Sequence, residues 1–268
     1  MTAIQQWLAS VRDVPRIECE VLLSEVLALS RAQVLARPQR ELGTAEQSSL
    51  ERNITALRAG TPLAYILGNR EFWGLSFKVT PDVLIPRPET ELLVELALQK
   101  APHGGRVLDL GTGSGAIAVA IASERADLCV TAVDVSSAAL TIAEENARAH
   151  NVTINFVVSD WFSNLTEHWD IVVANPPYVA EQDPHLPNLQ AEPQLALIAA
   201  DNGLRALRRI VNDSSGYLRA GGCLIVEHGF DQAVDVREEM AAAGLSNVSS
   251  ALDLAGIERA TMGHITAS

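Results

Sequence analysis

From Arg106 onward the chain alternates short apolar strands with helices, and this alternation restricts the fold more than any other feature. Val107-Leu108-Asp109-Leu110 reads as a first strand, with a helix over residues 116–123. A second strand over 129–133 ends in Asp134, and a helix follows over 138–150. A third strand over 154–158 leads into Ser159-Asp160-Trp161, and Ile171-Val172-Val173 forms a fourth. A helix over 204–218 precedes a fifth strand at 223–227, and a helix near 231–243 with a hairpin around 248–265 closes the pattern. Strands joined by crossover helices lie parallel, and such sheets bind ligands outside their carboxyl ends. The informative residues are therefore those that end each strand.

After the first strand comes Gly111-Thr112-Gly113-Ser114-Gly115. Glycines at alternate positions let the backbone turn tightly and come close to a ligand. Asp134 follows Gly111 by 23 positions, at the end of the next strand, where an acidic side chain meets ribose hydroxyls. Asp160 could accept from an adenine amine, with Trp161 packed on the ring. Gly111-x-Gly113-x-x-Ala116 also satisfies the loose dinucleotide fingerprint, so the loop alone leaves a nicotinamide cofactor open. Asp109, a carboxylate within the strand below the loop, suits a cationic sulfonium better than a pyrophosphate.

The fourth strand runs into Ala174-Asn175-Pro176-Pro177-Tyr178. Two prolines fix φ, remove backbone donors and push the preceding residues out of helical geometry. An Asn-Pro-Pro sequence by itself is also compatible with a plain rigid turn. At a strand end it offers more: an Asn175 side-chain carbonyl and a Pro176 backbone carbonyl can grip an –NH2 group, while Tyr178 gives a flat face for a planar substrate.

Upstream, residues 2–60 read as helical throughout. Ile4, Trp7, Leu8 and Val11 share one face, Asp13-Val14-Pro15 separates the first two helices with Pro15 in a first turn, and Thr44 with Gln47 is a candidate capping box. Gly60 to Leu84 is punctuated by Pro62, Gly68 and Gly74, with aromatic and β-branched segments around them; the turn at Gly74 predicts a hairpin. Leu84-Ile85-Pro86-Arg87-Pro88-Glu89-Thr90 is a stiff entry into a helix over 89–100, in which Arg87 serves either helix-start chemistry or a site wall.

Charge is unevenly placed. Residues 1–80 hold nine Lys/Arg against eight Asp/Glu, and residues 81–268 eleven against twenty-five, for −13 overall. An acidic body argues against tracking a phosphate backbone. Cys19, Cys129 and Cys223 are far apart, which predicts reduced, buried, structural thiols and no metal site. No apolar run has the roughly 18 residues of a membrane span, and the first residues lack a basic region followed by an apolar core. The expectation is a cytoplasmic protein with no membrane role.

Val107–Gly115 together with Asn175-Pro176-Pro177-Tyr178 resembles the class I S-adenosylmethionine-dependent methyltransferases that act on planar nitrogen. Further blocks are similar to the peptide chain release factor glutamine methyltransferases: Pro62-Leu63-Ala64-Tyr65-Ile66-Leu67-Gly68, Glu71-Phe72-Trp73-Gly74, Leu84 to Glu91, and Asp253-Leu254-Ala255-Gly256-Ile257-Glu258-Arg259. The resemblance spans nearly the whole chain. It implies a mixed α/β, Rossmann-like methyltransferase sheet with a small N-terminal helical bundle and a linking β-hairpin. It divides the chain into a helical substrate-recognition domain (1–60), a linker with the hairpin (61–88) and an S-adenosylmethionine-dependent domain (89–268).

The resemblance also implies methylation of the glutamine side-chain amide in the Gly-Gly-Gln tip of release factors, by a monomer with no direct nucleic-acid partner. Carried over by position, Gly111, Thr112, Gly113, Ser114, Gly115, Asp134, Asp160, Trp161 and Asn175 hold the cofactor S-adenosylmethionine. Asn175, Pro176, Pro177 and Tyr178 hold the substrate, with Asn175, Pro176 and Tyr178 catalytic. Two alternatives stay in view. An adenine N6-methyltransferase would use the same Asn-Pro-Pro-Tyr on a flipped base, and a non-catalytic nucleotide-binding adaptor would bind cofactor without methyl transfer.

Overall fold

The structure is a computed structural model that describes residues 2–184 and 186–266. The chain divides at Asn69/Arg70 into two compact units. In the first, helices α1 (Ile4–Ser10), α2 (Arg16–Leu27), α3 (Arg31–Leu35), α4 (Thr44–Arg58) and α5 (Leu63–Leu67) enclose a core that includes Trp7, Leu22, Leu23, Val34, Leu50 and Ile54.

Three local expectations are corrected here. Residues 2–60 are not helical throughout, because β1 (Thr2–Ala3) pairs antiparallel with β2 (Glu41–Leu42). Pro15 is the residue before α2 and takes an extended ψ of 131°, outside the first turn. Gly43, not Thr44, caps α4: its N–H donates to the Glu46 carboxylate at 2.8 Å, while the Gln47 amide donates to the Leu42 carbonyl at 2.9 Å. The carboxylate three residues into the helix does the capping from Glu46, one residue earlier than the Thr44/Gln47 spacing predicts.

The predicted hairpin, β3 (Asn69–Phe72) and β4 (Leu75–Lys78), starts at the last residue of the first unit and otherwise belongs to the second. Trp73 and Gly74 both have positive φ, 54° and 68°, as a two-residue turn matched to strand twist requires. Residues 63–67, read from sequence among the β-rich segments, form α5 instead, ended by Gly68 at φ 75°. Thr90 ends a 3₁₀ turn (Pro88–Thr90) that leads into α6 (Glu91–Lys100).

The main sheet contains β5 (Arg106–Leu110), β6 (Cys129–Asp134), β7 (Asn155–Val158), β8 (Trp169–Ala174), β11 (Leu218–Glu227), β12 (Ser246–Leu252) and β13 (Glu258–His264). Its order is β7-β6-β5-β8-β11-β13-β12. The first five strands are parallel to their neighbours, and β13 runs antiparallel to β11 and β12. Successive residues alternate between two cores. Val107, Ile171, Val173 and Ile225 face the layer with α6 and α7 (Ala116–Glu124), and α8 (Ser137–Ala149) contributes Ala147 there. Leu108, Leu110, Val172, Val226 and Leu224 face α9 (Arg205–Ser214) and α10 (Ala233–Ala242). A sheet covered on both faces needs the near-continuous apolar strands that the sequence shows. Among the described residues no helix is long and apolar enough to cross a membrane. Cys19 and Cys223 are free and buried, whereas Cys129 is exposed; it is the first residue of β6, so the expectation of three buried thiols fails there.

After β8 the chain makes one short excursion not predicted from sequence. β9 (Val179–Ala180) pairs in parallel with β10 (Ile198–Ala199). Gly203 locks it. At φ 84° a Cβ there would lie 2.0 Å from the Tyr178 carbonyl oxygen and 2.7 Å from Gln232 Nε2, which itself donates to that carbonyl at 3.1 Å. Gly203→Ala is expected to destabilise the protein by about 3 kcal/mol or more, since it adds a backbone clash to the positive-φ strain. Gly104→Ala, at φ 67° with nothing within 4 Å of its Cβ, should cost only the strain. Urea midpoints for the two variants measure the difference, and equal losses would contradict the clash.

Candidate active site

Hydrogen-bonded register aligns the strand ends. Leu110 pairs with Val133 on one side and Ala174 on the other, and Ala174 pairs with Val226. The next residue on each strand is Asp134 (β6), Gly111 (β5), Asn175 (β8) and Glu227 (β11), so these four form one row across the carboxyl edge. Strand order reverses between β5 and β8, which is where open α/β sheets hold ligands.

Gly111, Gly113 and Gly115 all have positive φ, 71°, 55° and 81°. A Cβ on Gly113 would meet nothing within 4 Å, whereas one on Gly111 would sit 3.2 Å from the Trp161 ring and one on Gly115 3.0 Å from Ala143 Cβ. Gly111 and Gly113 therefore face a cavity and Gly115 packs into α8. Thr112 and Ser114 are buried in the loop's own packing. The Thr112 hydroxyl donates to Asp109 at 2.6 Å, and the Ser114 carbonyl accepts from Asn146 Nδ2 at 2.8 Å. Asn146 also exchanges hydrogen bonds with the Lys78 backbone in the hairpin, at 2.7 and 3.0 Å.

The cavity has a volume of about 610 Å³, within the range of ligand-binding sites. Gly111, Gly113, Asp134, Asp160, Trp161, Asn175 and Pro177 line it. The Asp134 carboxylate accepts from the Gly113 and Ser136 amides, both at 2.9 Å, so it braces the glycine loop as well as facing the cavity. Burial raises its pKa, and those amides pull it back. Asp160 is exposed and paired with Arg209 at 2.8 Å. Trp161 has φ 53°, a strained value for an aromatic residue, and holds its ring against Gly111.

A second cavity of about 260 Å³ is lined by Arg87, Pro176, Tyr178, Val179 and Leu197 among others. Leu84, Asn175 and Ala196 line both cavities, so Asn175 stands where the two meet. Arg87 is held by the buried Glu192 carboxylate at 2.5 Å, whose other oxygen accepts from the Ile85 amide at 3.1 Å. This places Arg87 in the wall of the second cavity.

Behind Asn175 lies a chain of buried polar groups. Its Nδ2 donates to Thr90 Oγ1 at 3.0 Å, and Tyr178 Oη donates to Glu227 Oε1 at 3.1 Å. Glu227 is 1% exposed; burial pushes its pKa up to about 7, and the nearby Thr90 and Tyr178 hydroxyl groups offset part of that rise. Burial, then the Glu227 charge, raises the Tyr178 hydroxyl well above its ordinary value. Asp109 is likewise buried, with its pKa raised to about 7, and its Oδ1 has no hydrogen-bond partner among the described residues. Thr90, Glu192 and Glu227 have no role assigned by the sequence pattern. An acidic residue ending the apolar run Leu224-Ile225-Val226 was the available signal for Glu227.

Residues 88–191 match the family described as Methyltransferase small domain, and residues 2–68 that described as PrmC N-terminal domain. With its sheet order and its cavity at the switch point, the chain is a class I S-adenosylmethionine-dependent methyltransferase. A release factor glutamine methyltransferase of Coxiella burnetii is 45% identical over 260 residues, covering 96% of this chain and 94% of its own. One of Bordetella pertussis is 44% identical, covering 99% of this chain and 100% of its own. The chain belongs to the release factor glutamine methyltransferase family. A solved Thermus thermophilus 16S rRNA N2 G1207 methyltransferase in complex with AdoMet and guanosine superposes with a TM-score of 0.56 at 20% identity, over 74% of this chain and 49% of its own; this likeness concerns the fold alone.

The larger cavity fits S-adenosylmethionine: its floor is open backbone at Gly113, its rim carries a carboxylate at Asp134, and the buried Asp109 carboxyl below retains an unpartnered oxygen. The raised Glu227 pKa has a signed consequence. Between about pH 4.5 and 7 the folded protein binds more protons at Glu227 than the unfolded chain, so stability falls as pH rises through that window and stays lowered above it. Glu227→Gln removes the ionisation. Relative to wild type, it is expected to gain about 2–3 kcal/mol between pH 5 and pH 8 in denaturant midpoints. A difference that stays constant across this range would contradict the raised pKa.

Proposed function

We propose that the chain methylates the side-chain amide nitrogen of the glutamine in the Gly-Gly-Gln motif of peptide chain release factors. The observation that carries this reading is the position of Asn175 at the junction of the two cavities, with its amide nitrogen turned toward Thr90. Among the described residues nothing donates to its Oδ1, which is left to accept from a substrate –NH2. In this reading Gly111, Gly113, Asp134 and Trp161 line the cofactor's cavity, with Asp134 at the ribose and Asp160 near the adenine end. Thr112, Ser114 and Gly115 shape the loop. Pro176 and Tyr178 line the substrate's cavity, and Pro177 faces the cofactor's side.

S-adenosylmethionine, when bound, supplies an electrophilic methyl group carried on a sulfonium. The chain's own groups prepare the acceptor. A carboxamide nitrogen is a weak nucleophile because its lone pair is delocalised into the carbonyl. The Asn175 Oδ1 and the Pro176 carbonyl each accept one of its hydrogens, which orients the nitrogen and stabilises positive charge as it develops there. Tyr178, held at its hydroxyl by Glu227, packs on the amide plane and excludes water. No strong base is required, because the nitrogen becomes acidic as it is alkylated. Alignment supplies most of the acceleration.

The acidic balance of residues 81–268 supports a protein substrate over a nucleic acid. The reading carries with it a monomeric, cytoplasmic enzyme whose N-terminal helical unit contacts the release factor. Incubating the protein with methyl-labelled cofactor, a purified release factor and single-stranded DNA tests the substrate class. Label is expected on the Gly-Gly-Gln glutamine and none on adenine; comparable labelling of adenine would overturn the reading. In the same assay Asn175→Ala is expected to lower kcat by about 10²-fold, comparable to losing one oxyanion-type contact, with little change in cofactor affinity.

A further inference from the structure

We propose that Arg87, held by Glu192 as its positioning residue, binds the substrate by donating hydrogen bonds to main-chain carbonyls beside the glutamine. This inference rests on the glutamine-methyltransferase reading above and adds a contact outside the Asn-Pro-Pro-Tyr stretch.

Arg87 lies between Pro86 and Pro88, and its backbone is extended, with φ −98° and ψ 143°, as a residue before proline requires. Its side chain makes no capping bond to the helical turn that follows, so helix-start chemistry does not explain it. Instead Nη2 donates to Glu192 Oε1 at 2.5 Å, and the second Glu192 oxygen accepts from the Ile85 amide at 3.1 Å. The Glu192 side chain is 4% exposed and that of Arg87 32%, so the carboxylate is buried and the arginine is not. Arg87 lines the cavity that Pro176 and Tyr178 also line. A long side chain is thus fixed at its base by two prolines and at its head by a carboxylate.

This arginine has donors to spare. A guanidinium carries five N–H groups in a rigid fork. Among the described residues, Glu192 is the one partner that accepts from it. The other polar side chains of that wall are spent, Asn175 Nδ2 on Thr90 and Tyr178 Oη on Glu227, and the rest are apolar.

The chemistry of the pair selects the acceptor. Glu192 offsets the positive charge at contact distance, which leaves little net attraction for a phosphate but keeps N–H dipoles for a neutral carbonyl. The side-chain carbonyl of the reacting glutamine is the wrong acceptor. A guanidinium donating there would draw the nitrogen lone pair further into the carbonyl and weaken the nucleophile. The main chain is the suitable one. Two glycines precede the glutamine in Gly-Gly-Gln, and without a Cβ their carbonyls can come close to the wall. Holding the main chain there sets the path along which the glutamine reaches Asn175. Such a contact is equally present before and during methyl transfer, so it acts on binding and not on the chemical step.

The test measures kcat and KM for a release factor, S-adenosylhomocysteine affinity and urea midpoints in wild type, Arg87→Met, Glu192→Gln and the double variant. Arg87→Met keeps the apolar stem and removes the donors, but leaves Glu192 buried without its cation, which lowers stability. Adding Glu192→Gln removes that charge and still accepts from the Ile85 amide, so the double variant should regain most of the wild-type midpoint. Arg87→Met and the double variant are both expected to raise KM about tenfold, with kcat and S-adenosylhomocysteine affinity within about twofold of wild type. Glu192→Gln alone should raise KM about threefold, and add nothing in the Arg87→Met background because it acts through Arg87. The KM ratio of Arg87→Met to wild type should be the same at about 50 and 200 mM salt, since the lost acceptor is neutral.

Wild-type KM in Arg87→Met, or a loss confined to kcat, would overturn the proposal. So would a KM restored in the double variant, because Arg87 would then serve only to neutralise Glu192. A KM ratio that falls steeply with salt would mark an anionic acceptor and overturn the carbonyl assignment. These failures all require a wild type that methylates release factors. A wild type inactive on every release factor would sink the substrate reading itself, and this inference with it.

Discussion

The register of the parallel strands is the constraint on which the rest of the site depends. Leu110, Val133, Ala174 and Val226 lie side by side, so the residues that follow them emerge in one row at strand spacing, about 4.8 Å apart. A one-residue slip of β8 would turn Asn175 to the opposite face and separate it from Glu227. Both faces of the sheet oppose such a slip, since Ile171 and Val173 fill one core while Val172 and Ala174 fill the other. The packing that stabilises the fold is thereby the same packing that aims the catalytic amide.

Two carboxyl groups sit in this apolar frame, Asp109 below the glycine loop and Glu227 below the Asn-Pro-Pro-Tyr stretch. Each has its pKa raised to about 7 by burial, and each retains one oxygen without a partner among the described residues. Groups of this kind lower stability above neutrality. They persist where they organise a site. Asp109 holds the Thr112 hydroxyl and the Ala118 amide, and so fixes the loop to α7. Glu227 accepts from the Tyr178 hydroxyl and so fixes the end of the Asn-Pro-Pro-Tyr stretch.

Much of this was legible in the sequence because it is local. The strand–helix alternation, the glycine loop, Asp134 at the end of β6 and the prolines after β8 are each decided by neighbours along the chain and are present in the structure. α9 stops at Ser214, however, and β11 begins at Leu218, inside the stretch expected to be helical. The positive-φ turn at Gly74 was also local, although Trp73 shares its left-handed geometry, which no aromatic residue advertises. What escaped was made by distant partners. Glu192 reaches Arg87 across 105 positions, and Asn175 reaches Thr90 across 85. Leu63–Leu67 is too short for periodicity to tell a helix from a strand, and its helical state follows from packing in the first unit. The exposure of Cys129 follows from its place at the outer end of β6, which composition does not reveal.

The central claim is that Asn175 presents its oxygen, not its nitrogen, to a substrate amide. A crystal structure with S-adenosylhomocysteine and a peptide containing Gly-Gly-Gln measures this most directly. The expected result has the glutamine amide nitrogen within hydrogen-bonding distance, about 2.7–3.2 Å, of both Asn175 Oδ1 and the Pro176 carbonyl oxygen, with Asn175 Nδ2 still on Thr90. A glutamine bound through its carbonyl to Asn175 Nδ2, or seated away from the cavity shared by Pro176 and Tyr178, would contradict the account.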